Sequence, residues 1–214
     1  MGLLAVQKSW AGVLGALHND FVFERRVGIL SDLLASLLPQ SARVLDVGCG
    51  DGAISFRIKQ RRPDIEIRGV EVLPRERTHI PVEVFDGVHI PYENASFNVV
   101  MFSDVLHHTN KPELILSEAR RVASQYVLIK DHYRNGFAAG MRLRFMDWIG
   151  NARFGVALPY NYWSRNEWSA NWQHIGLCPA KLITKLGLYP PFADWLFGGG
   201  LHFIALLSKC EPTD

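Results

Sequence analysis

The stretch Val44-Leu-Asp-Val-Gly-Cys-Gly-Asp-Gly52 decides how this chain folds. Arg43–Val47 is a short, mostly apolar run with strand character that stops at three closely spaced glycines. Ala53 to Arg61 behind it has helical character and closes before Pro63. Glycines between a strand and a helix permit a tight turn and let the backbone approach a ligand closely. The first turn of the helix offers free N–H groups to an electronegative group. Glu71, nineteen residues past Gly52, ends the next strand, Ile65–Glu71. A carboxylate there can accept hydrogen bonds from both hydroxyls of a ribose.

Outward from this core the alternation continues. Apolar residues recur at helical spacing from about Phe21 to Leu38 (Phe23, Val27, Leu30, Leu33, Leu34, Leu37) and stop at Pro39. Val82–Phe85 and Phe97–Phe102 read as strands three and four, Pro112–Val122 as a helix with proline near its start, and Tyr126–Lys130 as strand five. Short apolar strands alternating with helices argue for an α/β fold with a parallel sheet covered on both faces. After about Arg134 the character changes to an aromatic-rich insertion holding Trp148, Trp163, Trp168 and Trp172. Two last strands, around Lys181–Leu186 and Leu201–Leu207, flank Pro190, Pro191 and Gly198-Gly-Gly200. The expected organisation is one domain: N-terminal helices over 1–40, a binding core over 41–135, a lid-like insertion over 136–178 and a closing hairpin over 179–214.

Composition narrows the function classes. With 214 residues, 48% hydrophobic and 21% charged, the chain is neither disordered nor fibrous. Lys+Arg 23 against Asp+Glu 21 is too balanced for a general nucleic-acid or acidic-membrane binder, a small basic patch aside. Cys49, Cys178 and Cys210 are too scattered for a disulfide framework or a zinc site, and unpaired thiols suit a reducing compartment. Residues 1–20 lack the basic start and continuous apolar core of a signal peptide, and no run of about 18 apolar residues occurs. The expectation is therefore a cytoplasmic protein without stable membrane insertion.

Two cofactor classes compete for the glycine loop. Gly48, Gly50 and Ala53 satisfy the dinucleotide fingerprint G-x-G-x-x-A, and Tyr126 with Lys130 forms the Y-x-x-x-K of some dehydrogenases. That pairing needs helical spacing; on a strand, four residues span roughly 13 Å. Asp46 is the second discriminator, since a carboxylate before the glycines repels a pyrophosphate and suits an ammonium group. Here the chain resembles class I S-adenosylmethionine-dependent methyltransferases. Val44–Gly52 is similar to their first motif, Phe85–Val100 to their third and fourth strand region, and Val105–His108 with Pro112–Val122 to the loop and helix after the fourth strand. The closest subgroup is the small-molecule type of quinone biosynthesis and natural products. The likeness covers roughly Arg43 to Lys130 and implies a Rossmann-like, mostly parallel seven-stranded sheet with an antiparallel last strand.

Carried over residue by residue, the resemblance implies that Gly48, Cys49, Gly50 and Gly52 lie along the methionine moiety and that Asp46 stands near its ammonium. It also implies that Glu71 holds the ribose, with Val72 and Leu73 the nearest apolar candidates to pack on the adenine. Asp86 and Gly87 would meet the adenine amino group, Ser103 and Asp104 would lie beside the sulfonium, and Arg26 (or Arg25) would pair with the cofactor carboxylate. Two departures stand out: Pro74 and Pro81 leave no room for the usual helix between strands two and three, and Ala123-Ser-Gln125 replaces a Pro-Gly-Gly turn. Asn98, where aspartate is common, is expected to be structural.

His107 and His108 follow strand four, where the sheet opens onto a ligand crevice. His107 is the expected general base, because histidine titrates near neutral pH; His108 is more simply a packing residue. Asp131 and His132 share that rim, and His108, His132, Tyr160 and Tyr162 are the candidate substrate contacts. A tryptophan taken singly is more often core than lid, and Arg142 and Arg144 more often a solvated helix face. No clustered His/Asp/Glu set suggests a metal. The activity these residues imply is transfer of the cofactor's methyl group to a small apolar or aromatic acceptor at oxygen or carbon. A non-catalytic module of the same fold, or a nicotinamide-dependent dehydrogenase, are the alternatives.

Overall fold

The computed structural model describes residues 24–73, 75–151, 160–190, 194–198 and 200–212, with the side chains of 147–151 left aside. The N-terminal stretch 1–20, the expected helix start at Phe21 and the side chain of Trp148 lie outside them. Helix α1 covers 24–35. Then follow β1 (Arg43–Val47), α2 (Ala53–Arg61), β2 (Glu66–Glu71), β3 (Val82–Val84), β4 (Phe97–Ser103), α3 (Pro112–Val122) and β5 (Ala123–His132). The chain closes with α4 (Ala139–Asn151), α5 (Arg165–Ile175), β6 (Leu177–Ile183) and β7 (His202–Lys209). β1, α2 and α3 begin and end where the sequence places them, because each is bracketed by local signals: the glycines, and a proline at the start of α3.

The seven strands lie in the order β3-β2-β1-β4-β5-β7-β6. β1 pairs in parallel with β2 and β4, and β7 runs antiparallel to both β5 and β6. The order reverses between β1 and β4, so their carboxyl ends diverge and leave a crevice above the sheet. One face packs Leu45, Val100 and Val127 against α3 and α5, and the other packs Val44, Val99 and Leu128 against α1 and α2. The β2–β3 connection contains no helix among its described residues. Asn98 is structural, its Oδ1 accepting the Arg43 N–H at 2.8 Å.

Three expectations need correction. β5 is longer than Tyr126–Lys130, since β4 pairs with its beginning and β7 with its end, carrying Asp131 and His132 into the ladder. β6 begins at Leu177, earlier than the hydrophobic pattern suggested, and its register slips between Pro179 and Lys181. A proline without an N–H is tolerated there because β6 is an edge strand. The third concerns the cysteines. Cys178 pairs in register with Ser208, so Cys210 just past β7 comes alongside and forms a disulfide with it, Cα to Cα 5.9 Å. Only Cys49 is free, and the compartment inferred from unpaired thiols loses its basis.

Candidate functional site

The site begins where β1 ends. Gly48, Gly50 and Gly52 have φ of 70°, 60° and 78°, conformations that an L side chain resists. The Gly48 N–H donates to the Val70 carbonyl at 2.8 Å, tying the loop to the end of β2. Glu71 then gathers three backbone donors: Gly50 N–H on Oε2 at 2.7 Å, with Val72 and Leu73 N–H on Oε1 at 2.8 and 3.2 Å. Loop and carboxylate are thus locked together across a cavity of about 300 Å³.

Seven of the sequence-derived residues line this cavity: Gly48, Gly50, Glu71, Val72, Gly87, Asp104 and His108. Others do not. Cys49 and Gly52 belong to the loop but face Gly69 and Ile80, and burial pushes the Cys49 thiol well above its usual range. Asp86 is exposed and closes its own turn, accepting from Val88 and His89 N–H at 2.8 and 2.7 Å. Ser103 ends β4 with a buried hydroxyl that finds no hydrogen-bond partner. Leu73, expected beside Val72, also lines the cavity, and Phe85, Val105 and Ile115 supply apolar wall not singled out from the sequence. Their signal there is weak, since Phe85 and Val105 are single apolar residues beside strand ends and Ile115 is one of several apolar residues of α3.

Asp46 lies beneath the loop, 3% exposed. Its Oδ2 accepts the Ser55 hydroxyl at 2.6 Å while its Oδ1 is buried without a partner. Burial pushes its carboxyl up to about 7, with the Glu71 charge adding to the rise and Ser55 opposing it.

Asp104, at the head of the crevice with φ 60°, holds a buried charge network together. Arg26 from α1 donates to its Oδ2 at 2.6 Å, and Lys130 of β5, wholly buried, donates to its Oδ1. Burial works against the Asp104 charge, but Lys130 and Arg26 outweigh it and hold the carboxyl well below its usual range. Burial and the Lys130 charge together depress His132 to about 4 and hold His202 well below its usual range, so both are neutral at neutral pH.

His107 is buried behind this network rather than on the cavity wall. Its Nδ1 lies 2.6 Å from Asp131 Oδ1, and its ring stacks on Tyr162 with centroids 5.3 Å apart. The His108 ring, 4.1 Å from that of His107, reaches the cavity. His132 Nδ1 lies 3.3 Å from Asp131 and 3.6 Å from Asp104. Folding therefore assembles a His107–Asp131–His132 group within 4.8 Å that sequence spacing did not reveal. Its one carboxylate, Asp131, is already engaged by both histidines.

The insertion divides between two roles. Trp168 and Trp172 are 2% and 3% exposed and pack on Phe203, so they are core rather than lid. The segment before α5 does reach the site: Asn161 donates its N–H to the His107 carbonyl at 3.1 Å and its side-chain amide to the Thr109 carbonyl at 3.3 Å. Tyr162 is buried and Tyr160 half-buried, the latter beneath the Arg144 guanidinium.

Known proteins share this arrangement. Residues 21–180 match a family described as a methyltransferase domain. A 27-O-demethylrifamycin SV methyltransferase of Amycolatopsis mediterranei (strain S699) is 32% identical over 108 residues, 44% of this chain and 39% of that protein. The chain spans roughly two fifths of the length of the curated relatives it matches. Among solved structures, a chain from the complex between the Haloferax volcanii Trm112 methyltransferase activator and a methyltransferase superposes with a TM-score of 0.66. The identity there is 15%, over 91% of this chain and 95% of that one. Geranyl diphosphate methyltransferase in complex with SAM superposes with a TM-score of 0.64 at 14% identity, over 85% of each chain. At such identities the likeness is one of fold.

Proposed function

This chain belongs to the methyltransferase-domain family, whose cofactor is S-adenosylmethionine, and from that premise we propose that it transfers the cofactor's methyl group to a small apolar or aromatic acceptor. The observation that carries this reading is the cavity that joins the Gly48–Gly50 backbone to the Glu71 carboxylate. The residues fit the cofactor. Glu71 Oε2, which takes one backbone donor, keeps accepting capacity for a ribose hydroxyl, while Oε1 already takes two, and Val72, Leu73 and Phe85 form an apolar wall suited to a purine. Asp46 places a carboxylate beneath the loop, suited to a cationic ligand and unsuited to a pyrophosphate, whereas Asp104 is already paired with Arg26 and Lys130. When bound, the cofactor supplies an activated methyl group, so the protein's task is orientation and exclusion of water.

Proton removal from a hydroxyl or carbon acceptor falls to the histidine pair. His108 stands on the cavity wall, and His107, its Nδ1 held by Asp131, packs against it. Removal of either ring lowers turnover on acceptors that must lose a proton. An acceptor already ionised in solution bypasses both.

Calorimetric titration tests the cofactor. The expected result is S-adenosylmethionine binding that weakens at least tenfold in Glu71→Ala, with no NAD binding. Tight binding of NAD and none of S-adenosylmethionine would overturn the proposal in favour of a dehydrogenase. A second reading, a cofactor-binding partner module, draws on the neighbour solved with a methyltransferase activator. It gains if S-adenosylmethionine binds and no acceptor is methylated.

A further inference from the structure

The insertion carries a surface that the cofactor cavity leaves unexplained. Phe137, Met141 and Phe145 follow one another at intervals of four residues along the turn before α4 and α4 itself. They are 96%, 72% and 48% exposed. The opposite face of α4 is already satisfied, with Ala139 and Leu143 buried against Tyr162 and Leu201. The helix is therefore apolar on both sides, and its outer stripe meets water. Arg134, Arg142 and Arg144 accompany the stripe, and no Asp or Glu occurs from Tyr133 to Met146. Arg134 makes a half-exposed pair with Glu167 at 3.3 Å, and Arg144 lies over the Tyr160 ring, 5.3 Å from its centroid.

Large apolar side chains alternating with arginines on one helix surface are the composition of a helix that lies in a lipid interface. Charge complementarity selects the lipid: Arg134, Arg142 and Arg144 outnumber the acids of the same region, Asp147 of α4 and Glu167, and a basic excess fits an anionic headgroup layer. We propose that α4 and the turn before it dock the protein peripherally on an anionic lipid surface. The aromatic and methionine side chains enter the headgroup boundary, and the arginines meet the phosphates. Among the described residues no helix is long and apolar enough to cross a membrane, so the attachment is along the surface.

The test is co-sedimentation of the whole chain with vesicles of phosphatidylglycerol and phosphatidylcholine, against phosphatidylcholine alone. Binding is expected only with the anionic vesicles and should fall with added salt. Each arginine contributes about fivefold near such a surface, so the Arg142→Gln/Arg144→Gln double variant should lose roughly 25-fold in partitioning. Phe137→Ser/Met141→Ser should lose binding altogether while titrating S-adenosylmethionine as the wild type does, which separates this inference from the cofactor proposal. Three results overturn it: wild-type protein left in the supernatant, serine variants that bind like wild type, or a solution dimer that those variants convert to monomer. The last would assign the stripe to a second copy of the chain.

Discussion

Asp46→Asn should stabilise the protein at alkaline pH relative to its effect at acid pH. The carboxyl is buried under the glycine loop, with one oxygen on Ser55 and the other without a partner. Burial raises it from 3.8 to about 7, which means that folding favours the protonated form. Below 3.8 folded and unfolded chains are both protonated and the group costs nothing. Between 3.8 and 7 the unfolded chain ionises first, so stability is lost as pH rises, and above 7 the loss levels off. At 1.36 kcal/mol for each decade the full loss is about 4 kcal/mol, of which about 3 kcal/mol develops between pH 5 and pH 8.5. Asparagine cannot ionise, and it keeps an oxygen for the Ser55 hydroxyl while leaving an amide without a partner, a pH-independent cost of about 1–3 kcal/mol. Urea unfolding of both proteins at the two pH values isolates the pH-dependent part. The stability of the variant minus that of the wild type should be more favourable at pH 8.5 by about 3 kcal/mol. Equal differences at both pH values would refute the reasoning. The same group predicts that affinity for the cationic cofactor weakens as pH falls through 7 in the wild type and not in the variant, read by calorimetry.

The remaining expectations rest on particular contacts. Gly52→Ala would place a Cβ at φ 78° and 2.5 Å from Ile80 Cγ1; a loss of about 1–3 kcal/mol is expected, and unchanged thermal stability would contradict the geometry. Cys178→Ser/Cys210→Ser opens a cross-link between residues 32 apart, expected to cost about 3–4 kcal/mol by the chain-entropy relation. Reductant should lower the wild-type melting temperature by the same amount, and indifference to reductant would count against the bond. Lys130→Met strips Asp104 of its buried cation and should cost about 3 kcal/mol, while adding Asp104→Asn should recover part of that. A double variant destabilised by the sum of the two singles would show that the two are not coupled.

Much of the glycine-loop side of the cavity was legible before folding, because its signals are local. The glycines that need positive φ, the proline opening α3 and the carboxylate ending β2 all act within a few residues of where they stand. The charge network around Asp104 was not. Arg26, Asp104, Lys130 and His202 come from α1, the end of β4, β5 and β7. Nothing in their spacing says that β5 lies between β4 and β7. The same holds for Asp131, which meets His107 from the neighbouring strand, and for Cys210, which meets Cys178 through the β6–β7 register.

His107 and His108 show the division most sharply. The sequence by itself determined that two histidines would follow β4 at the crevice, since a strand end and a short loop require nothing from afar. Which of them faces the cavity depended on Asp131 and Tyr162 drawing one ring into the interior, and those arrive from β5 and the insertion. Backbone conformation is set by neighbours along the chain; burial and charge pairing are set by neighbours across it, and only the packed sheet supplies those.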